Sequence, residues 1–270
     1  MTFTTPTIHI PVEYDDPRHL YGLGIGKPGF IRYWSSTQVV EKFYEKFDAR
    51  PRAEAYAAKH GGTPEYWLEQ WADNRDKSLV RGNTIHSREE MILQSRMIDI
   101  KDGTVLPVHG EMIADTTPWI ERPDGVYTER LLWHHGYRIA GRADKIILET
   151  PHSCWIDGQL HSEYRVAHIE DHKTNKELKK VGFQFKNGTF KMMRPPIAHL
   201  MDCNFVHYEL QLSLYMFMLE YQGFRPGKMT VIHYPHPTDE NPHPEKEYHD
   251  VRYLKKEVVT MLAFLNRMVA

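Results

Sequence analysis

Two periods run through the apolar positions of this chain. Leu210, Leu214, Phe217 and Met218 recur at helical spacing within residues 200–221, and Gly223 supplies the stop. Leu254, Val258, Leu262 and Leu265 make a second stripe over residues 253–269. Upstream, Ser35-Ser36-Thr37 is placed to cap a helix over 38–47, and Pro51 and Pro64 each open another. The helix from Pro64 carries Tyr66, Trp67, Leu68 and Trp71, and a further helical pattern covers 77–97. Runs rich in β-branched residues instead predict strands at 128–135, 137–148, 165–174 and 231–234. Residues 1–36 read as extended and loop-like. Residues 105–127 are polar and bounded by the turn signals Asp102-Gly103 and Asp124-Gly125. Residues 149–164 read as an inserted loop or a longer hairpin, and the proline- and histidine-rich 235–246 as an exposed loop. This order predicts an α/β protein in one structural unit, with a helical N-terminal part (1–100) packed on an α/β core (101–270).

Composition narrows the function. The 270 residues suffice for one large domain and a real core. The formal charge of −2 means that any nucleic-acid contact must come from a local basic patch. Cys154 and Cys203 stand alone, which argues against a disulfide framework and against a cysteine-held zinc or iron–sulfur cluster. The first residues lack a basic stretch followed by an apolar one, and the best apolar run, 212–219, is too short to span a bilayer. A soluble, cytoplasmic protein without a signal peptide or membrane partner is the expectation. The glycines of 22–29 have the wrong spacing for a nucleotide loop, and Pro28 stands where Ser or Thr is required.

The chemistry concentrates between Tyr137 and Thr174. Two β-prone runs each deliver an aspartate, Asp144 and Asp171, and Lys173 follows Asp171 by two, hence on the same strand face. Two converging carboxylates do not both ionise readily without a cation between them. Oxygen donors in small number suit Mg²⁺ or Mn²⁺, one or two ions, which activate water and stabilise a phosphoryl transition state. The constellation is that of a metal-plus-lysine phosphodiesterase. Glu129, a strand's length before Asp144, is either a third carboxylate or an exposed strand end. His134 and His135 face opposite sides of a strand and read as ordinary residues. From Lys173 the chain turns basic, with Lys176, Lys179, Lys180, Lys186, Lys191 and Arg194 against Glu177 alone. A run beginning at the catalytic lysine is suited to a phosphate backbone, with Lys176, Lys179 and Lys180 as contacts. The bland alternative is a solvated face.

Gly141-x-x-Asp144, Asp171-x-Lys173-Thr174 and Gln211-x-x-x-Tyr215, with Gly82, His86 and Glu90 upstream, occur in the order seen in the RecB-like branch of the PD-(D/E)xK nuclease superfamily. The chain resembles that branch over about half its length, although Asp144 and Asp171 are further apart than its usual short hairpin allows. The resemblance implies a restriction-endonuclease-like core, a central mixed β-sheet flanked by helices. It implies His86 and the His172 carbonyl as metal ligands beside Asp144 and Asp171, with Glu90 orienting His86. Gln211 and Tyr215 would bond the substrate backbone or the attacking water. A Mg²⁺- or Mn²⁺-dependent deoxyribonuclease leaving 5′-phosphates is expected. An exonuclease acting on linear single- or double-stranded DNA ends, like stand-alone phage and organellar enzymes, beside replication or recombination proteins, is the specific form. The branch's four-cysteine iron–sulfur cluster is not expected with two cysteines. The rival readings are an inactive nucleic-acid-binding module on the same fold, and a metallohydrolase of small substrates using some of the 17 histidines. The latter predicts H-x-H or H-E-x-x-H spacing, which the chain lacks.

Overall fold

The computed structural model describes residues 10–15, 18–101, 104–109, 117–156 and 159–269. In chain order these form β1 (Glu13–Asp15), β2 (Leu20–Leu23), β3 (Ile31–Ser35), α1 (Ser36–Glu41), α2 (Ala49–His60), α3 (Pro64–Arg96), β4 (Ile98–Lys101), β5 (Thr104–His109), a 3-10 turn (Trp119–Glu121), β6 (Gly125–His134), β7 (Ile139–Ile156), β8 (Gln159–Lys173), α4 (Asn204–Tyr221), β9 (Arg225–His233), β10 (Glu247–Asp250) and α5 (Lys255–Val269). The start of the chain (1–9) and the turn residues Asp102, Gly103, Asp157 and Gly158 lie outside the described residues.

The architecture is α/β, a large mixed sheet that curls, with helices flanking it. β7 is its spine. It pairs antiparallel with β6 and β8 and parallel with β3, while β8 and β9 run parallel and β10 closes that edge antiparallel. The period of two explains how β7 serves two cores. Ile146 and Leu148 face the principal cluster with Leu132, Ile169, Leu210, Met218 and Val258, whereas Ile147 turns to a smaller one with Leu106 and Val126.

α4 crosses the principal face. Its stripe is broader than the four apolar positions predicted, because Leu210, Leu212, Leu214, Met216, Met218 and Leu219 are all fully buried. Buried nearly all round, it is wedged among the sheet, α1 and α5. Each such side chain contributes roughly 1.5–3 kcal/mol on burial. Residues 200–203, predicted as its first turn, are irregular instead, and the helix starts at Asn204.

Within the first hundred residues, the part read as extended and loop-like carries three strands. β1, β2 and β3 form an antiparallel meander that β3 joins to β7 through Trp34↔Ile139 and Ser35↔Ala140. Tyr21 and Tyr33 bury against Val12 and Ala140, so aromatics spaced by glycine turns build a strand layer where the sequence read as loop. α1 starts at Ser36 and ends at Glu41, earlier at both ends than the predicted 38–47, and Ser35 caps it in a capping box, with Gln38 N–H donating to Ser35 Oγ at 3.0 Å and Gln38 Oε1 accepting from Ser35 N–H at 3.1 Å. The two helical patterns at 64–71 and 77–97 are one helix of 33 residues, α3. Thr63 caps it and Pro64 opens it. Its side chains are mostly exposed, and i,i+4 pairs such as Asp73–Lys77 at 2.7 Å support its middle. Among the described residues no helix is long and apolar enough to cross a membrane.

Candidate metal centre

The antiparallel register of β7 and β8 pairs Lys145 with Glu170, and one step further brings Asp144 across from Asp171. Asp144 Oδ2 accepts the His172 backbone N–H at 2.7 Å, which fixes the carboxylate against β8. The 149–164 stretch does not separate the two aspartates. It extends the same ladder outward from His152↔Tyr164 to Ile156↔Gln159, with register shifts that absorb the added residues, and so is the longer hairpin. Gly141 is needed beneath it, because a Cβ there would stand 2.6 Å from the Tyr215 ring and 2.8 Å from Ser36 Oγ.

α3 is pinned over this hairpin end by Arg81. Its guanidinium donates to the Thr174 carbonyl at 2.7 Å and to the Tyr234 and Pro235 carbonyls at 3.1 and 3.0 Å. Gly82 lets the helix come close, since a Cβ there would lie 3.3 Å from Thr174 Oγ1. One turn on, His86 reaches the site. Its Nε2 is 3.1 Å from the His172 carbonyl, an acceptor, so Nε2 carries the proton and donates. The other nitrogen, Nδ1, is left 3.5 Å from Asp144 Oδ2 and 3.9 Å from Glu129 Oε1. Glu90, a turn further, lines the same cavity and takes a 2.9 Å bond from Gln94.

Glu129 is the residue whose two readings the sequence leaves open. β6 pairs with β7 at Thr128↔Lys145 and Arg130↔Ala143, but Glu129, between them, has φ +51° and leaves the ladder opposite Asp144. A left-handed glutamate inside a strand costs roughly 1–3 kcal/mol. That distortion turns its carboxylate towards His86 and Asp144, with Arg142 Nε 2.7 Å away on the other side. Donor atoms of His86, Glu129 and Asp144 all lie within 4.8 Å of one another.

The electrostatics of this group show a shortage of positive charge. Burial, and then the charge of Asp171, push the Asp144 carboxyl up to about 7. Burial disfavours the His86 imidazolium, yet Glu129, Asp144 and Asp171 outweigh it and raise His86 to about 9. Lys173 is held above its usual value although burial works against it, because Asp171 and Asp144 stand beside it. Burial and the neighbouring His86 lower His172 to about 4, and its Nδ1 pairs with the Tyr234 hydroxyl at 3.0 Å. A lone pair on His86 Nδ1 aimed at two carboxylates is stable only with a proton or a cation among them. Two oxygen donors and one imidazole fit a hard divalent ion such as Mg²⁺ or Mn²⁺.

A cavity of about 870 Å³ opens above the group, lined among others by Glu129, Arg142, Asp144, Lys173, Asn175 and Tyr208. Asp171 is not on its surface. It is buried behind Lys173, which it holds by an ion pair, while the ammonium lies 4.9 Å from the Tyr208 ring centre. Gln211 and Tyr215 lie below the carboxylates, where Gln211 Nε2 donates to the Tyr215 hydroxyl at 3.0 Å, and neither lines the cavity. The His172 carbonyl faces His86. Lys176, Lys179 and Lys180 are exposed on the irregular segment that leaves the site, outside the cavity wall. Arg142 and Asn175 belong to the site, although the motif pattern does not single them out. Arg142 sits two residues from Asp144 on β7, so the strand period would have marked it, whereas Asn175 lies past the end of β8 and no period does. No protein-family model and no curated sequence matches the chain, so the reading of this centre rests on its own geometry.

Proposed function

We propose that this protein is a metal-dependent DNA nuclease of the PD-(D/E)xK type, with the restriction-endonuclease-like core of the RecB-like branch. In this reading it is an exonuclease on linear DNA that leaves 5′-phosphates. The observation that carries it is the convergence of His86, Glu129 and Asp144 donor atoms within 4.8 Å at the wall that also holds Lys173. Those three side chains would hold Mg²⁺ or Mn²⁺, with Asp171 adding its charge from below. When bound, such an ion supplies a water acidic enough to ionise near neutrality and shields the phosphate's charge.

The chain's own groups do the rest. Asp171 orients Lys173 and keeps it cationic, so the ammonium meets the negative charge that builds on a phosphate. Arg142 neutralises and positions Glu129. The His172 carbonyl fixes the His86 ring so that Nδ1 faces the carboxylates. Tyr14 and Tyr208, partly exposed at the cavity wall, offer aromatic surface for an unpaired base. Lys176 and Lys179, exposed just beyond Asn175, extend the track for a phosphate backbone.

The test is cleavage of end-labelled linear single-stranded, linear duplex and closed circular DNA with Mg²⁺, Mn²⁺ or chelator, beside Asp171→Ala. Degradation of linear DNA alone, lost with chelator and in the variant, supports the exonuclease. Cutting of circles makes the enzyme an endonuclease. Binding of DNA without any cleavage overturns the reading in favour of a nucleic-acid-binding module.

A further inference from the structure

The antiparallel register of β9 and β10 sets Glu247 directly opposite His233, with His249 two residues beyond Glu247 on the same face. The three side chains meet outside the cavity wall described above. His233 Nδ1 and His249 Nε2 each lie 3.1 Å from Glu247 Oε2, and all three donor atoms fall within 4.8 Å of one another. Donors about 2.0–2.1 Å from a tetrahedral ion are roughly 3.3 Å apart, so the observed spacing is close to that of a ligand set.

The hydrogen bond of the far nitrogen sharpens the point. His233 Nε2 lies 2.8 Å from the Asn175 carbonyl, which only accepts, so Nε2 carries the proton. In the neutral ring the lone pair is then on Nδ1, facing a carboxylate oxygen that is also an acceptor. His233 is 3% exposed, so bulk water does not relieve that opposition. A proton on Nδ1 or a metal ion between the two atoms does. An imidazole that donates its second N–H to a backbone carbonyl is also the usual setting of a metal-bound histidine. Glu247 is half exposed and His249 partly so, which leaves a fourth position open on the solvent side.

We propose that His233, Glu247 and His249 form a second metal site, one that takes Zn²⁺ in preference to Mg²⁺. Two imidazole nitrogens and one carboxylate match zinc, and a water or solvent hydroxide completes the tetrahedron. The site has a consequence for the basic segment. Lys180 Nζ is 3.2 Å from His249 Nδ1, a contact in which the ammonium donates to that ring nitrogen. Ligation through His249 Nε2 moves the ring proton to Nδ1, where it faces the ammonium as a second donor, and Lys180 is released towards solvent. Through His233 the same ion braces Asn175, two residues past Lys173. Zinc thus stiffens the base of the 174–180 segment while freeing one of its lysines.

The experiment uses the full chain, stripped with chelator, carrying Asp144→Asn to disable the first centre. It is titrated with Zn²⁺ against a chromophoric competitor and with Co²⁺ by visible absorption. One equivalent of Zn²⁺ should bind, and Co²⁺ should give the intense bands of a tetrahedral ion. Glu247→Gln and His249→Ala, both at the solvent rim, should each weaken binding by at least 10–100-fold and abolish those bands. Their circular dichroism and melting without metal report whether they fold. Absence of a Zn²⁺ equivalent in the Asp144→Asn chain overturns the proposal. So does undiminished binding in both folded rim variants. Because the readout is metal binding, its failure is distinguishable from failure of the nuclease reading.

Discussion

The two histidine–carboxylate groups lie near the paired ends of β8 and β9, where Lys173 stands opposite His233, and they differ in kind. The His233 group is set by the β9–β10 register alone, whereas the His86 group joins one helix residue to Asp144 of β7 and to Glu129, which leaves its ladder. The His86 group has two carboxylates and one imidazole and borders an 870 Å³ cavity whose wall also holds the partly buried Lys173. The His233 group has two imidazoles and one carboxylate and opens only at an edge strand. Oxygen-rich and cavity-facing is the arrangement for a hard ion that meets a phosphate, nitrogen-rich and edge-placed the arrangement for an ion that ties strands together. Donor type and what opens above each group therefore set the chemistry that each can support.

The largest effect should separate the two groups by activity. Lys173→Ala is expected to lower DNA cleavage on the order of 10²–10³-fold, with DNA affinity retained, because the ammonium acts on charge that develops in the reaction. Single-turnover kinetics with a parallel binding isotherm measure both; equal rates would remove Lys173 from the mechanism.

Packing below the cavity group gives the next. Gly141→Ala forces a Cβ against Tyr215 and Ser36, and overpacking of this kind costs about 1–3 kcal/mol. A lowered melting temperature with loss of cleavage is the expected pair, and an unchanged melt would mean the hairpin tolerates the shift.

A histidine outside both groups sharpens the contrast through pH. Burial lowers His134 to about 4 from its ordinary 6.5, and its Nδ1 accepts the Tyr137 N–H at 3.3 Å. Between those values the unfolded chain binds the proton that the folded one refuses, so His134 contributes stability above pH 6.5 that is lost as pH falls towards 4. The amount is on the order of 2 kcal/mol. Denaturant titrations of wild type and His134→Phe across that window should show a shallower acid decline in the variant. Matching slopes would assign the decline to other groups.

The smallest effect concerns the exposed run. Glu substitutions at Lys176 and Lys179 should weaken DNA binding and reduce its salt slope by about 0.7–0.9 for each phosphate no longer neutralised. A slope identical to wild type would reduce this run to a solvated face.

Much of the centre can be read along the chain. Asp144, Asp171 and Lys173 stand out because two β-prone runs deliver them and a strand puts alternate residues on one face, whereas His86 and Glu90 enter only through the resemblance in motif order. What escapes depends on contacts between distant segments. Glu129 joins the group only through a left-handed backbone that breaks the β6–β7 ladder, and no local propensity favours that in a glutamate. The strands β1 to β3 are short and owe their form to Tyr21 and Tyr33 burying on Ala140 of β7, over a hundred residues away. The polar stretch of α3 around Asp73 and Asp76 reads as a break, yet the helix continues, tied near its middle by Arg81 to three carbonyls just past the ends of β8 and β9. Gln211 and Tyr215 have the helical spacing expected of them, but the depth of α4 in the core puts them beneath the carboxylates and not at the cavity wall.

The proposed nuclease chemistry would depend above all on His86, Glu129 and Asp144 holding a divalent ion. Calorimetric titration of Mn²⁺ into the DNA-free chain, in a His249→Ala background that disables the second group, tests this most directly. Saturable binding is predicted, and Asp144→Asn and Glu129→Gln should each weaken it on the order of 10–100-fold. An isotherm unaltered by either substitution would contradict the proposed centre.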